Sequence, residues 1–455
     1  MFLKMLDNSF AEKYIYKLIA VLTVWQFWSV GLMAVGTWPM SVAIVNTVLL
    51  ALFLVFAKPF HSVLLLLLSI PFFVILPNPV LANFPMWRVL FVLLFVVWFI
   101  RLLVSQRAWL QKLFTPDRKK VFSSALSRLN SRLMPWDKIV VLFLLLASVS
   151  LLIARFPIHG LKQILFLVNI YLFYIVTISV TTDAEKLSKL IRYTIYSLGI
   201  MVGLGFLQYI GTLFASPYYF WQYWATLVSS LYYGKSLAEV LSYSNSWFSA
   251  SASGSSLRMF GVLPDSHAFG VMCIFLLSYL IPSLRWPDEN KPRKFIVALV
   301  ILTGFGVMAS GTRGVWLTML ASIMVALICY WRGWFKSFFK ITLAVYAVII
   351  MLFVSSPVIS QGLNYIRTID TKDDFLNRAG SIYDLNESSN AGRLEIWQHS
   401  VKFAATHPFG VGYGNFIVSI IDDISENSTF EQVSGAKNLR YNLPQAFITA
   451  HSLYL

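Results

Sequence analysis

The stretch Val89-Leu90-Phe91-Val92-Leu93-Leu94-Phe95-Val96-Val97-Trp98-Phe99-Ile100-Arg101-Leu102-Leu103-Val104 decides the class of fold. Apart from Arg101 near its end it is apolar on every face, so as a helix it suits hydrocarbon better than a soluble core with a wet side. Working outward, about eleven such stretches of near-spanning length recur, separated by polar or proline-containing breaks. They are Ile15–Val35, Met40–Ala57, Ser62–Leu76, Val89–Val104, Ile139–Ile153, Ile164–Val180, Tyr193–Phe214, Ala268–Leu284, Phe295–Ala309, Val315–Tyr330 and Ile341–Val354. The second and third are short enough to be mispaired or partly re-entrant. With 58% hydrophobic and only 12% charged residues, the chain reads as an all-α polytopic membrane protein.

Lysine and arginine collect in alternate connections. One holds Arg107, Lys112, Arg118, Lys119, Lys120, Arg128 and Arg132; later ones hold Lys186, Lys189 and Arg192, then Arg285, Lys291, Arg293 and Lys294, then Arg332, Lys336 and Lys340. If the helices alternate from a cytoplasmic N-terminus, all of these fall on the cytoplasmic side. Arg88, Arg155 and Lys162 fall on the external side as exceptions. The net charge of +16 then reflects membrane insertion and anionic headgroups. No zinc-finger spacing, helix-turn-helix pattern or RNA-binding motif accompanies it, so a nucleic-acid partner is not expected. Cys273 and Cys329 both lie inside predicted helices, which leaves no disulfide framework for the external loops. Asp7, Glu12 and Lys13 precede the first apolar run without a clean cleavage site after it, so that helix is expected to remain as an anchor.

The organisation predicted is a transmembrane bundle over residues 1–214, an extracytoplasmic loop over 215–257, a second bundle over 258–354 and a large, partly helical extracytoplasmic loop over 355–455. The first loop carries Tyr218, Tyr219, Phe220, Trp221, Tyr223 and Trp224, readable as an interfacial aromatic belt or as a platform for sugar rings. In the second, acids such as Asp370, Asp422 and Glu431 are interspersed with Arg367, Arg378, Arg393, Lys402, Lys437 and Arg440. Loops this long are usually lids or binding elements. Leu394, Trp397, Val401 and Phe403 recur at helical spacing and point to a helix ending at His407-Pro408, followed by a flexible turn at Gly410, Gly412 and Gly414.

Several of these motifs, taken in order, resemble the O-antigen ligase and polymerase superfamily. They are Arg258-Met259-Phe260-Gly261 running on to Pro264-Asp265-Ser266-His267, Ser310-Gly311-Thr312-Arg313-Gly314-Val315-Trp316-Leu317, Gly392-Arg393-Leu394-Glu395-Ile396-Trp397, His407-Pro408-Phe409-Gly410-Val411-Gly412-Tyr413-Gly414-Asn415-Phe416, and His451-Ser452-Leu453-Tyr454-Leu455. The resemblance implies a multi-pass protein of the bacterial cytoplasmic (inner) membrane that moves a glycan from undecaprenyl pyrophosphate to a hydroxyl on an acceptor lipid, protein or glycan, as in lipopolysaccharide and surface polysaccharide biosynthesis. It implies neither a nucleotide sugar nor a required metal, and no cofactor. It also implies a membrane helix beyond His451, so a chain stopping at Leu455 reads as a fragment or a shortened member.

A departing pyrophosphate gathers negative charge, which fixed guanidiniums stabilise in a water-poor site. Arg258, Arg313 and Arg393 are the candidates for binding it. Each also has a plainer reading, Arg258 and Arg313 as interfacial anchors and Arg393 as a cap or ion-pair partner of its own helix. His451 is the candidate catalytic base for the acceptor hydroxyl, with His267 and His407 as competitors. A ligase and a repeat-unit polymerase share the donor and differ in acceptor, and the motif run leans towards the ligase. A transporter or flippase for the same lipid-linked glycans is the alternative of another class; it would more often carry ionisable or helix-breaking elements at mid-membrane depth. A non-catalytic glycan-binding scaffold is a third.

Overall fold

The computed structural model describes residues 9–77, 84–105, 135–242, 247–251, 254–285, 293–331, 397–398, 400–416 and 419. In chain order the elements begin with α1 (Ser9–Ala34), α2 (Val42–Phe56), α3 (Pro59–Ser69), α4 (Met86–Ser105), α5 (Pro135–Ser150), α6 (Pro157–Val180) and α7 (Ala184–Phe214). Three short helices follow, α8 (Pro217–Tyr223), α9 (Ser230–Tyr233) and α10 (Lys235–Ser242), then the strands β1 (Phe248–Ser251) and β2 (Gly254–Leu257). The described run continues with α11 (Ser266–Arg285), α12 (Arg293–Ala309) and α13 (Arg313–Trp331). The fold is therefore an all-α polytopic membrane architecture with one small antiparallel hairpin, in which Phe248 pairs with Leu257. Every predicted apolar stretch up to Val315–Tyr330 coincides with a helix, and Ile341–Val354 lies outside the described residues.

Six described helices are long and apolar enough to cross a bilayer: Glu12–Ala34, Met86–Val104, Pro135–Ile153, Pro157–Val180, Ala184–Phe214 and Ser266–Leu284. Val42–Phe56, Pro59–Phe72 and Lys294–Ala309 are shorter apolar helices. At about 1.5 Å rise per residue, α2 reaches only about 22 Å and α3 about 17 Å, short of a hydrocarbon core of about 30 Å. Prolines set these limits. Pro39 precedes α2, Pro59 opens α3, and Pro71 sits in the 3-10 turn Ile70–Phe72 that ends it, since proline lacks the N–H a continuing helix needs. The chain then returns through the bridge Ile75–Pro85 into α4. Leu146, Val149 and Leu207 are 61%, 63% and 62% exposed. Faces of this kind are a liability in water and ordinary against lipid tails.

The chain forms two compact units, one from the described parts of residues 1–46, 64–86 and 182–387, the other from those of 47–63, 87–181 and 388–455. In the first, α11 packs against α7, α12 and α13. Its core includes Trp247, Phe260, Phe269, Cys273, Leu276 and Trp316. The Trp247 and Phe260 rings stack at 4.7 Å, and the Trp247 indole N–H donates to the Pro264 carbonyl at 3.0 Å. In α1–α3, the Gln26 amide donates to Ser69 Oγ and the Asn46 amide to Ser29 Oγ, polar ties where apolar contact alone gives little specificity.

The aromatic segment after α7 divides. Tyr218 and Tyr219 are exposed, whereas Phe220 is buried. The Trp221 indole donates to the Ser242 carbonyl, and Trp224 meets Phe260 edge-on. Tyr223 is also exposed, with its hydroxyl donating to the Ala34 carbonyl at 3.0 Å; the three tyrosines fit a belt or platform, whereas Phe220, Trp221 and Trp224 anchor the segment. Burial holds the Tyr233 phenol above its ordinary pKa, with Tyr232 and Asp265 adding to the rise, and its hydroxyl donates to the Val262 carbonyl at 2.5 Å.

The second unit contains α5 and α6, which pack together. Phe91 of α4 stacks on Phe173 of α6 at 4.3 Å, and the Asn169 amide donates to the Arg88 carbonyl at 3.0 Å.

In α7, a Cβ added at Gly205 would lie 2.7 Å from the Phe269 ring, whereas one at Gly203 meets nothing within 4 Å. Gly205→Val should lower the Tm of the purified protein in detergent, with an overpacking cost of about 1–3 kcal/mol, while Gly203→Ala leaves it unchanged or slightly raised. Equal losses from both would remove this contact as the reason α7 and α11 approach so closely.

Candidate functional site

The segment after β2 crosses the apolar core of the first unit, where each backbone N–H needs a partner. Arg258 N–H donates to the Trp247 carbonyl at 2.9 Å, and Met259 N–H to the Ala309 carbonyl at 2.8 Å. The next two N–H groups, of Phe260 and Gly261, both donate to Gln208 Oε1, at 3.1 and 2.7 Å. Gln208 belongs to α7 and is 2% exposed. Gly261 is left-handed (φ +57°), and a Cβ there would stand 3.2 Å from the Gly205 backbone. The Arg-x-x-Gly element thus has two physical requirements, a positive φ and room against α7, and only glycine meets both at low cost.

The second motif is the joint between α12 and α13. Gly311 N–H donates to the Met308 carbonyl, and the N–H groups of Val315 and Trp316 both donate to the Thr312 carbonyl. Gly311 turns the chain at φ +59°, and Arg313 is the first residue of α13. Thr312 Oγ1 lies 3.3 Å from Ser266 Oγ at the start of α11, both buried. Nearby, the Asp265 carboxylate accepts from Ala268 N–H at 2.7 Å and caps α11, a stabilising arrangement for a helix N-terminus.

These two motifs meet. A Cβ at Gly311 would approach Arg258 Cγ, Cδ and Nε to 3.4, 3.6 and 3.8 Å, so the arm of Arg258 lies over the Ser310–Gly314 turn. Arg258 Nε is buried and has no hydrogen-bond partner among the described residues. The site therefore combines a guanidinium partly withdrawn from water with a helix N-terminus whose dipole also favours anions. Arg313 is half-buried. Arg393 and His451 lie outside the described residues.

Of the competing histidines, His267 holds Nδ1 3.9 Å from Asp265 Oδ1, an ion pair when protonated. His407 belongs to the second unit. Its ring stacks on Phe403 at 4.3 Å, with Nδ1 3.2 Å from the Phe403 carbonyl, the geometry of a ring closing its own helix end.

The glycine-rich stretch after His407 is held in place, where a flexible turn was expected. Gly410, Gly412 and Gly414 all have positive φ. Tyr413 N–H donates to Ser150 Oγ at 2.9 Å, and Asn415 Oδ1 accepts from Phe156 N–H at 2.7 Å. A Cβ at Gly412 would come within 2.5 Å of Ala154 Cβ. The motif is a wedge seated on the α5–α6 turn. Gln208 and this wedge are the features sequence reasoning missed. An amide inside a long apolar helix was the available signal for Gln208; nothing local signalled the seat of the wedge, which joins residues far apart in the chain.

No curated protein and no solved structure matches this chain significantly. Residues 298–455 match the family model described as O-antigen ligase, a segment that includes the Ser310–Gly314 turn, Arg393 and His451 but not Arg258. The C-terminal part of this multi-pass chain is thus similar to the O-antigen ligase family, consistent with the O-antigen ligase and polymerase superfamily.

Proposed function

We propose that the protein is a membrane glycosyltransferase that transfers a glycan from undecaprenyl pyrophosphate to an acceptor hydroxyl on the external face of the bacterial inner membrane, without a metal. The observation that carries this reading is the Arg258 side chain, folded over the Ser310–Gly314 turn with a buried Nε that no described residue engages. A buried guanidinium nitrogen without an internal partner is costly unless a ligand supplies an acceptor. A pyrophosphate would meet that need most strongly as its bond to the sugar breaks.

In the reaction proposed, the acceptor oxygen attacks the anomeric carbon from the side opposite the pyrophosphate. The carbon–oxygen bond to the carrier breaks and its electron pair stays on the pyrophosphate, held by Arg258, Arg313 and Arg393. His451 takes the proton of the hydroxyl. The anomeric configuration inverts, and a product of retained configuration would exclude this single-step scheme. The ligase reading is preferred to the polymerase because the matched family model carries the ligase description.

In cells lacking the gene, long glycans stranded on the carrier would identify a ligase and single repeats a polymerase. No change in either pool would reject both. With the purified protein, Arg258→Gln should lower kcat/KM by about 10²–10³-fold, the loss expected for one transition-state donor, with Tm little changed because the buried Nε has no hydrogen-bond partner among the described residues. Gln208→Leu should lower both activity and stability, by about 1–3 kcal/mol for the two stranded N–H groups. An Arg258→Gln protein that transfers glycan normally would remove this arginine from the reaction.

A further inference from the structure

The second unit holds a cleft of about 420 Å³ lined by Arg88, His159, Lys162, Gln163, Phe166, Leu167 and Tyr413. Positions 159, 162, 163, 166 and 167 fall on one face of α6, with polar side chains in its first turns and apolar ones deeper. Arg88 is the third residue of α4 and His159 the third of α6, so the cleft opens at the ends of two apolar helices. At these ends side chains meet headgroups.

The walls are built by tertiary contacts. The Arg88 guanidinium carbon sits 5.7 Å from the Phe166 ring centre, and Phe166 meets Trp87 edge-on at 5.3 Å. Gln163 Nε2 lies 3.1 Å from His159 Nε2. Tyr413 is fixed by its backbone bond to Ser150 and by an edge contact with Phe143 at 5.9 Å. A Cβ at Gly414 would strike Gln163 Oε1 at 2.8 Å, so the wedge and α6 are fitted to each other. The lining contains no carboxylate, and Lys162 is exposed and forms no ion pair with any described residue. Arg88 and Lys162 are also two of the three cations that break the positive-inside pattern, which insertion alone does not account for.

We propose that this cleft binds a phosphate ester, with the phosphate group between Arg88 and Lys162 and the body of the ligand against Phe166 and Tyr413. Arginine and lysine together suit a phosphate oxygen cluster, and the apolar, aromatic floor suits a sugar ring or the glycerol and upper chain of a lipid. The inference needs neither Arg258 nor the transfer reaction.

The test uses the full chain, stripped of lipid in neutral detergent. In one arm, saturation-transfer NMR compares glucose 6-phosphate with glucose; in the other, native mass spectrometry compares phosphatidylglycerol with diacylglycerol. The expected result is a preference of about ten-fold for the phosphate-bearing member in at least one arm, lost in Lys162→Gln and retained in Lys162→Arg. Tyr413→Ala should weaken binding of both members of the responding pair. A preference in the sugar arm alone assigns the cleft to a phosphosugar, and one in the lipid arm alone assigns it to a headgroup. Equal binding within both pairs, or a preference untouched by Lys162→Gln, would overturn the proposal; because Lys162 is exposed and forms no ion pair among the described residues, Lys162→Gln should fold normally, which its Tm verifies.

Discussion

The double acceptance by Gln208 Oε1 is the constraint on which the arginine site depends. Between the end of β2 and the Pro264 turn the chain is neither helix nor strand, yet it crosses a core where Met259 and Phe260 are fully buried. Non-helical backbone at such depth is tolerated only where other groups satisfy it. The hairpin end, the α12 terminus and Gln208 supply those partners. With the backbone fixed at four successive residues, the Arg258 arm has a fixed origin and lies over Gly311 instead of sweeping through solvent. The positive φ of Gly261 and the absence of a side chain at Gly205 allow that path.

The helices were legible because the apolar runs are long and hydrocarbon leaves the backbone few alternatives. Their starts were less so, and the reason is instructive. The apolar run of α6 suggests a start at Ile164, but the helix begins at Pro157, because its first turns carry the polar residues His159, Lys162 and Gln163 and fall outside the apolar run. These polar residues occupy helical positions and line a cleft. Likewise α7 begins at Ala184, well before Tyr193, where Asp183 Oδ1 accepts from Lys186 N–H at 2.9 Å and caps it; that bond also holds the Asp183 carboxyl below its ordinary pKa. Hydropathy measures the apolar part of a helix, whereas capping and backbone bonds set its ends.

The candidate site was legible in part for a related reason. Arg258 and the Ser310–Gly314 turn carry recognisable local patterns, and their meeting follows once α11 and α12 pack as neighbours. Gln208 sits far upstream, and its role depends on which carbonyl-seeking N–H groups the fold brings to it. The small hairpin was also unread, because its Ser-rich strands lack the alternating β-branched pattern that marks a strand.

Arginine at the end of a membrane helix usually anchors it by extending the charge into water. Arg258 follows a different geometry: its Nε is buried and its aliphatic arm packs against the turn. An anchor held this way would carry a desolvation cost at Nε. In the proposed function an anion would complete the arrangement, and the N-terminus of α13 directs partial positive charge to the same joint. The cations of the α4–α6 cleft have another character. Lys162 is exposed, and Arg88 lies against aromatic rings, so this site is suited to reversible capture at the interface. In the transfer proposed above, Arg258 would act on charge that develops as a bond breaks.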